Sequence, residues 1–298
     1  MANAAGRSTK RERQNAAREH ARQLREQELR KARQRRVITW SSVAVVVVAI
    51  AAVIIVVVAQ SAPAAPSAGP KNMLSDGIVL TGTTSYQPTR SIPADGKPVP
   101  TKQADDGKAH ITIYEDLQCP ICRGFEQTND AQMARWLDAG TATVEIHPVS
   151  ILDRLSSGNQ YSTRAANAMG CVAQYDPKRF WAVNKAFYNA QPEEGGHGRT
   201  DQQLIATMKQ AGAHSTALTR CVTSQRFTGW VQSATDRITP VGTRIPNSNA
   251  TVPDTGFGTP TIIVNGNAYT PPTSSTLGYS DPTAFTDFVR SVAPGVDG

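Results

Sequence analysis

The sequence predicts an α/β domain with an inserted helical block, preceded by one transmembrane helix. Three observations predict it. From His110 onward the apolar pattern reads strand–helix–strand, then a helical block, a hairpin and a last helix. Upstream, residues 37–59 run for 23 positions without a charge. Charge is also divided between the two parts. Residues 1–36 hold twelve Lys/Arg against four Asp/Glu, a net of +8, and the remainder, at −1, leaves the whole-chain +7. A near-neutral body argues against a nucleic-acid-binding domain, which would carry its own basic face.

In the basic tail, residues 1–36, Arg18, Arg22, Arg25 and Glu26 mix signs at helical spacing with almost no aromatic residue. That is the pattern of a solvated juxtamembrane helix resting near anionic lipid headgroups rather than of a nucleic-acid arm. Residues 37–59, at about 1.5 Å rise each, span the ~30 Å hydrocarbon core with slight tilt. A buried soluble helix would show a polar stripe. A cleaved secretory signal is the stronger rival, because Ala59, Ser61 and Ala62 are small. However, both the basic lead and the apolar run exceed signal-peptide lengths, so the segment reads as an uncleaved anchor. Arg30, Lys31, Arg33, Arg35 and Arg36 directly precede it, which places the N-terminus in the cytoplasm and everything after residue 59 outside.

Residues 60–107 form a linker and lead-in. The first part, QSAPAAPSAGP, is a semi-extended spacer; at about 3.1 Å per residue it would hold a domain some 30 Å off the membrane. Residues 71–107 are irregular, with a short strand at Gly77-Ile78-Val79-Leu80 and a Pro-rich loop after it, and are expected to lie against the domain. The domain itself occupies 108–298. Strands are expected at 110–115 and 141–148, with a helix between them reaching Gly140. A helical insertion covers about 150–255, and its helices carry Phe180, Trp181, Phe187 and Tyr188. Thr261-Ile262-Ile263-Val264 forms a strand that turns through Asn265-Gly266-Asn267 into a partner at Ala268-Tyr269. Asp281 caps the last helix, with Pro282 in its first turn and Phe285 and Phe288 on one face.

The chemistry lies in four cysteines, Cys119, Cys122, Cys171 and Cys221; an even number in an exported domain favours disulfides. Cys119-Pro120-Ile121-Cys122 falls between a β-branched strand and a helix start. There Cys119 meets unpaired N–H groups and the positive end of the helix dipole, which stabilise a thiolate and make it the exchanging sulfur. Pro120 is tolerated because the first turn has no acceptor for its N–H. Cys122, one turn on, is placed to resolve a mixed disulfide. Zinc is disfavoured, since Cys171 and Cys221 stand alone and no His pair is suitably spaced. A purely structural Cys119–Cys122 bridge would stabilise little by loop entropy. Cys171 and Cys221 enclose fifty residues and read as a structural disulfide worth about 4 kcal/mol; a second redox pair and intermolecular links are the alternatives. The second motif is Gly258-Thr259-Pro260-Thr261, directly before a strand. A cis Thr259–Pro260 bond would leave the Thr259 backbone free to pair with an extended substrate chain beside the cysteines; an ordinary trans turn is the alternative.

The run Ile113-Tyr114-Glu115-Asp116-Leu117-Gln118-Cys119-Pro120-Ile121-Cys122, together with Gly258-Thr259-Pro260-Thr261, resembles the thioredoxin superfamily. Within it the resemblance is to the DsbA-like proteins of the membrane-anchored actinobacterial type, over about residues 108–295. It implies a thioredoxin-like fold with an inserted helical domain. It also implies thiol–disulfide oxidoreductase activity with Cys119 as nucleophile, Cys122 as resolving thiol and Pro260 cis. Two departures stand out. Many members place a buried Glu six residues before the first Cys, where this chain has Ile113; Glu115 shares its strand parity and would substitute through water. Strongly oxidising members carry Pro-His between the cysteines, whereas Pro-Ile here offers no imidazole to the Cys119 sulfur. A weaker oxidant is therefore expected, with a potential below the roughly −120 mV of that class.

His110, His147 and His197 form no Ser/His/Asp order and no HExxH, and the glycines near His197 follow no strand, so they are not a phosphate cradle. Phe180, Trp181, Phe187 and Tyr188 read as helix core, with a surface for unfolded clients as the alternative. No cofactor or metal is called for. The function expected is a membrane-anchored oxidoreductase that introduces disulfides into exported protein clients, with a membrane quinone-linked partner, implied by the resemblance, reoxidising its cysteines. The rivals are a tethered reductase of the same fold and a catalytically silent holdase.

Overall fold

The computed structural model describes residues 46–52, 65, 67–94 and 96–297, together with separate helical positions between 15 and 33. Residues 1–62 and 63–298 form two compact units. In the first, the described positions are helical, and Arg22 Nε donates to exposed Glu26 at 3.3 Å, the i,i+4 pairing that the mixed charges prefigure. Most of the expected span at 37–59 lies outside the described residues; among those described, no helix is long and apolar enough to cross a membrane.

The second unit is built on a mixed sheet, six-stranded among the described residues. Its centre is β3 (Ala109–Glu115), rich in β-branched side chains and buried along nearly its whole length. β3 runs parallel to β4 (Ala142–Pro148), with Ile113 opposite Ile146, and antiparallel to β5 (Thr261–Val264), with Ile113 opposite Ile262. Beyond β5 lies β6 (Asn267–Ala268). The turn between them has Asn265 and Gly266 at φ 47° and 81°, the left-handed pair that a two-residue hairpin turn needs.

The other edge comes from the lead-in. β1 (Ile78–Gly82) pairs antiparallel with β4, and β2 (Ser85–Tyr86) pairs with β1. The lead-in therefore supplies two strands where the sequence signalled one. Part of the Pro/Ala/Ser stretch, expected to be a semi-extended spacer, is docked on the domain. Gly69 N–H donates to Ile92 O at 2.9 Å, and Ser67 Oγ accepts the Trp230 N–H, also at 2.9 Å. The reason is that Trp230 lies in the first turn of a helix, where an N–H lacks an intrahelical acceptor. Asp76 completes the attachment, accepting from Trp230 Nε1 at 2.9 Å and from both Arg237 Nε and Nη2.

Between β3 and β4 runs α1 (Pro120–Ala139), started by Cys119 and Pro120 and stopped by Gly140 at φ 73°, whose N–H closes on Leu137 and Trp136. The insertion holds α2 (Tyr161–Tyr175), α3 (Phe180–Asn189), α4 (Asp201–Gln210), α5 (Thr216–Thr223) and α6 (Thr228–Ile238). A Cys171–Cys221 disulfide ties α2 to α5, with Cα atoms 5.8 Å apart. Residues 239–260 return irregularly along the sheet. There Ile245 and Val252 pack with Tyr114, Val149, Ile238 and Ile263 in a small second core. α7 (Pro282–Val292) closes the chain, with Asp281 accepting from Thr283 and Ala284 N–H, and with Phe285 buried against Phe125 of α1.

Candidate active site

Cys119 and Cys122 are the two free cysteines. β3 ends at Glu115, so the turn 116–119 leaves the sheet at its C-terminal edge and enters α1. The insertion holds that turn. Buried Asp116 accepts from Gln118 N–H, Ser162 Oγ and Leu152 N–H at 2.9, 2.7 and 3.0 Å. Gln191 Nε2 donates to both Leu117 O and Cys119 O at 3.0 Å, and Tyr188 Oη reaches Asp116 O at 3.4 Å. Burial pushes the Asp116 carboxyl up to about 7 against these hydrogen bonds.

Cys119 is the N-cap of α1. Its sulfur accepts the Cys122 N–H at 3.4 Å, and its thiol lies 3.3 Å from the Thr259 carbonyl, to which it donates. Interaction with Cys122 lowers the Cys119 thiol to about 6, with help from the backbone there and from Thr259 and in spite of partial burial. Cys122 is completely enclosed; burial first, and the Cys119 sulfur second, push its thiol well up. Two sulfurs three residues apart are thus driven in opposite directions. The Thr259–Pro260 bond is cis, at the entry to β5, and Thr259 Oγ1 is buried without a partner among the described residues. Ile121, between the cysteines, is 54% exposed.

The structure therefore brings together Cys119, Cys122, Thr259 and Pro260, which the sequence singled out across 140 residues. Glu115 is buried below them, and its charge acts on Cys122. Sequence reasoning missed Glu126. It lies one helical turn after Cys122, also buried; burial and the Glu126 carboxyl hold Glu115 well above the ordinary range, and burial and Asp130 push Glu126 up to about 8. The i,i+4 spacing of Cys122 and Glu126 was the signal available. Asp116, Ser162, Tyr188 and Gln191 gave none, because their contacts cross between the motif and the insertion.

The remaining candidates sit elsewhere. His110 meets Thr143, Ala104 and Asp106, while His147 lies 3.3 Å from Glu145 and stacks on Tyr114. Phe180, Trp181, Phe187 and Tyr188 are all buried, which removes them as a client surface. Among the described residues no group of three or more His, Cys, Asp or Glu is placed to hold a metal ion.

A family model described as thioredoxin matches residues 104–279, more than half of the chain, and its limits enclose both the cysteine pair and the cis-proline. The chain belongs to the thioredoxin family. Among solved structures, this thioredoxin-family chain is similar to reduced DsbA from Mycobacterium tuberculosis, with 25% identity and a TM-score of 0.52 over 74% of this chain and 96% of that one. It is also similar to the reduced disulfide bond oxidoreductase DsbG of that organism, with 27% identity and a TM-score of 0.50 over 67% and 86%. By fold it is a DsbA-like thiol–disulfide oxidoreductase. A curated relative, the serine/threonine-protein kinase PknE of Mycobacterium tuberculosis, is 32% identical over 127 residues, which is 41% of this chain. The match spans only 22% of the kinase and carries no phosphotransfer activity to this chain.

Proposed function

We propose that this chain is a membrane-anchored, extracytoplasmic oxidoreductase that introduces disulfides into exported proteins, with Cys119 as the exchanging sulfur and Cys122 as the resolving one. The observation that carries the reading is the opposed environment of the two thiols beside the cis Thr259–Pro260 bond. In the oxidised state a client thiolate attacks Cys119 Sγ. The client–Cys119 bond forms, the Cys119–Cys122 bond breaks, and the electron pair stays on Cys122, which takes up a proton. The client's second thiolate then attacks its own bridged sulfur, closing the client disulfide and releasing Cys119 as a thiolate. A leaving sulfur whose pKa lies well below that of free cysteine makes this release favourable. The Thr259 carbonyl, facing the Cys119 sulfur, is in position to receive a backbone N–H of an extended client.

The Cys119 thiol at about 6 lies between thioredoxin, near 7, and strongly oxidising DsbA, near 3.5. Ile121 reaches the sulfur only through its backbone, and its exposed side chain adds no donor, so the reading is of an oxidant of intermediate strength. Its clients would be exported proteins with unpaired cysteines, reoxidation would fall to a quinone-linked membrane partner, and the basic tail would rest on anionic lipid at the cytoplasmic face. The test is the redox state of the pair in intact cells, trapped by alkylation, together with client disulfide formation in a Cys119→Ser variant. The pair should rest oxidised and the variant should lose disulfide formation. A pair resting reduced would make the chain a reductase, and an unaffected client would remove catalysis altogether.

A further inference from the structure

Successive residues of a strand turn to opposite faces of the sheet. Ile113 and Ile146, paired across β3 and β4, belong to the main core with Phe125 and Trp136 of α1. Tyr114 and His147, the next pair, therefore turn away from α1, and their rings stack with centroids 4.4 Å apart. On that far face a cavity of ≈250 Å³ lies between the sheet, α6 and the lead-in. Pro98, Pro148, Val149, Ala234 and Ile238 give it apolar walls. Val99, next to Pro98 in the chain, and Val241, two residues before Thr243 of the wall, are both exposed, so the apolar character continues past the lining. The space falls just short of pockets that take drug-sized ligands and has room for one ring or a short acyl chain.

Most polar groups of the cavity already have partners. Asp76 Oδ1 accepts from Trp230 Nε1 and Arg237 Nη2, and its Oδ2 accepts from Arg237 Nε, so Asp76 and Arg237 neutralise each other. Glu145, on the same sheet face as His147, is engaged by His147, Ser75 and Thr101. Two groups are left over. Tyr114 is 3% exposed and makes ring contacts with His147 and Phe257, but its hydroxyl has no hydrogen-bond partner among the described residues. Burial, with the Glu145 and Asp76 carboxylates, holds this phenol protonated far above the ordinary tyrosine range, so it is a donor without an acceptor. Arg244 is the other: it lines the cavity, is exposed, and its guanidinium pairs with no carboxylate among the described residues.

We propose that this cavity is a binding site for a small organic carboxylate, an aryl or short acyl acid, whose apolar body packs on Val149, Ala234 and Ile238 while Arg244 and the Tyr114 hydroxyl hold its carboxylate. An inorganic anion would leave the apolar walls uncovered, and a neutral ligand would leave Arg244 unanswered. A cation finds no free carboxylate, since Asp76 is held by Arg237. The site is separate from disulfide exchange, because neither Cys119, Cys122 nor Thr259 lines it.

The test follows 3-phenylpropanoate by methyl NMR of the isoleucines in the full-length chain in detergent, with 3-phenylpropanamide as the uncharged probe. Saturable shifts are expected at Ile238, which lines the cavity, and at Ile245 and Ile263 of the small second core, while Ile113 and Ile146 stay unmoved. The amide should bind about tenfold more weakly than the acid. Arg244→Ala, at an exposed position, should weaken the acid about tenfold and leave the amide as it was, and Tyr114→Phe should weaken the acid about fivefold. Ala234→Leu, which fills the cavity, should remove the shifts with both probes. Equal affinity for acid and amide, or an acid affinity untouched by Arg244→Ala, would overturn the anion site. Shifts that do not saturate, or that fall on Ile146 in place of Ile238, would show that the cavity takes no ligand. None of these outcomes bears on exchange at Cys119, which the redox trapping experiment decides by itself.

Discussion

At the scale of single residues, the decisive quantity is the acidity of Cys119. Its thiol falls from the ordinary cysteine value to about 6 through Cys122, the first-turn amides and Thr259. The alkylation rate of Cys119 by iodoacetamide should therefore titrate with a midpoint near 6. A midpoint in the range of free cysteine, near 8.5, would remove the basis for exchange. The same shift enters the stability of the reduced protein. A group with a depressed folded pKa adds stability that is complete above its unfolded pKa and is lost as the pH falls through the folded one. The fall to about 6 corresponds to about 4 kcal/mol favouring the folded state of the reduced protein at alkaline pH, fading as the pH falls from 9 to 6. Urea unfolding of the reduced chain against Cys119→Ala across that range measures it. This much was legible in the sequence, because a cysteine before Pro120 at a strand–helix junction fixes its own surroundings through backbone geometry. Glu126 was legible only as a neighbour of Cys122 at i,i+4 spacing; its burial beside Glu115 and Tyr188 depends on other elements and leaves no local mark.

At the scale of elements, the start of α1 is enclosed by a segment from far along the chain. The short 3-10 turn Gly278–Ser280 rests on it, and Tyr279 there lies near enough to Cys122 to feel its charge. Gly124 permits the approach, since a Cβ at that position would sit 2.3 Å from Ser280 Oγ. In a helix interior alanine is otherwise preferred to glycine by about 1 kcal/mol. Gly124→Ala is therefore expected to destabilise the reduced protein by roughly 1 kcal/mol or more in place of that gain, and to raise the alkylation rate of Cys122 as the turn lifts. Adding Ser280→Ala should recover the stability and lower the alkylation rate again. If Gly124→Ala alone proved stabilising, the turn would not be a cover on the Cys122 sulfur. The helices and the β3–β4–β5 strands were legible because each carries its own periodicity and boundary signals, such as the stop at Gly140 and the cap at Asp281. The turn at 278–280 was not, having neither.

At the scale of the whole molecule, the boundary of the folding unit lies far upstream of the strand that announces the redox site. Residues 71–107 carry many prolines and, beyond the short strand expected at Gly77–Leu80, little periodicity; they supply the strand that covers β4 and the carboxylate that holds α6. Their partners lie between about 60 and 160 residues away, beyond any local signal. Without them β4 would present an open edge, and edges of that kind pair with other chains. Trp230 and Arg237 would also lose Asp76, which leaves an indole N–H without its acceptor and a guanidinium without its partner. A fragment of residues 108–298 is therefore expected to aggregate or unfold without a cooperative transition, whereas residues 63–298 should unfold in a single step. Asp76→Ala in the longer fragment should lower its urea midpoint without abolishing the transition. A cooperative and soluble 108–298 fragment would show that the lead-in only decorates the sheet, and that the redox site needs no more than the strands and helices around it.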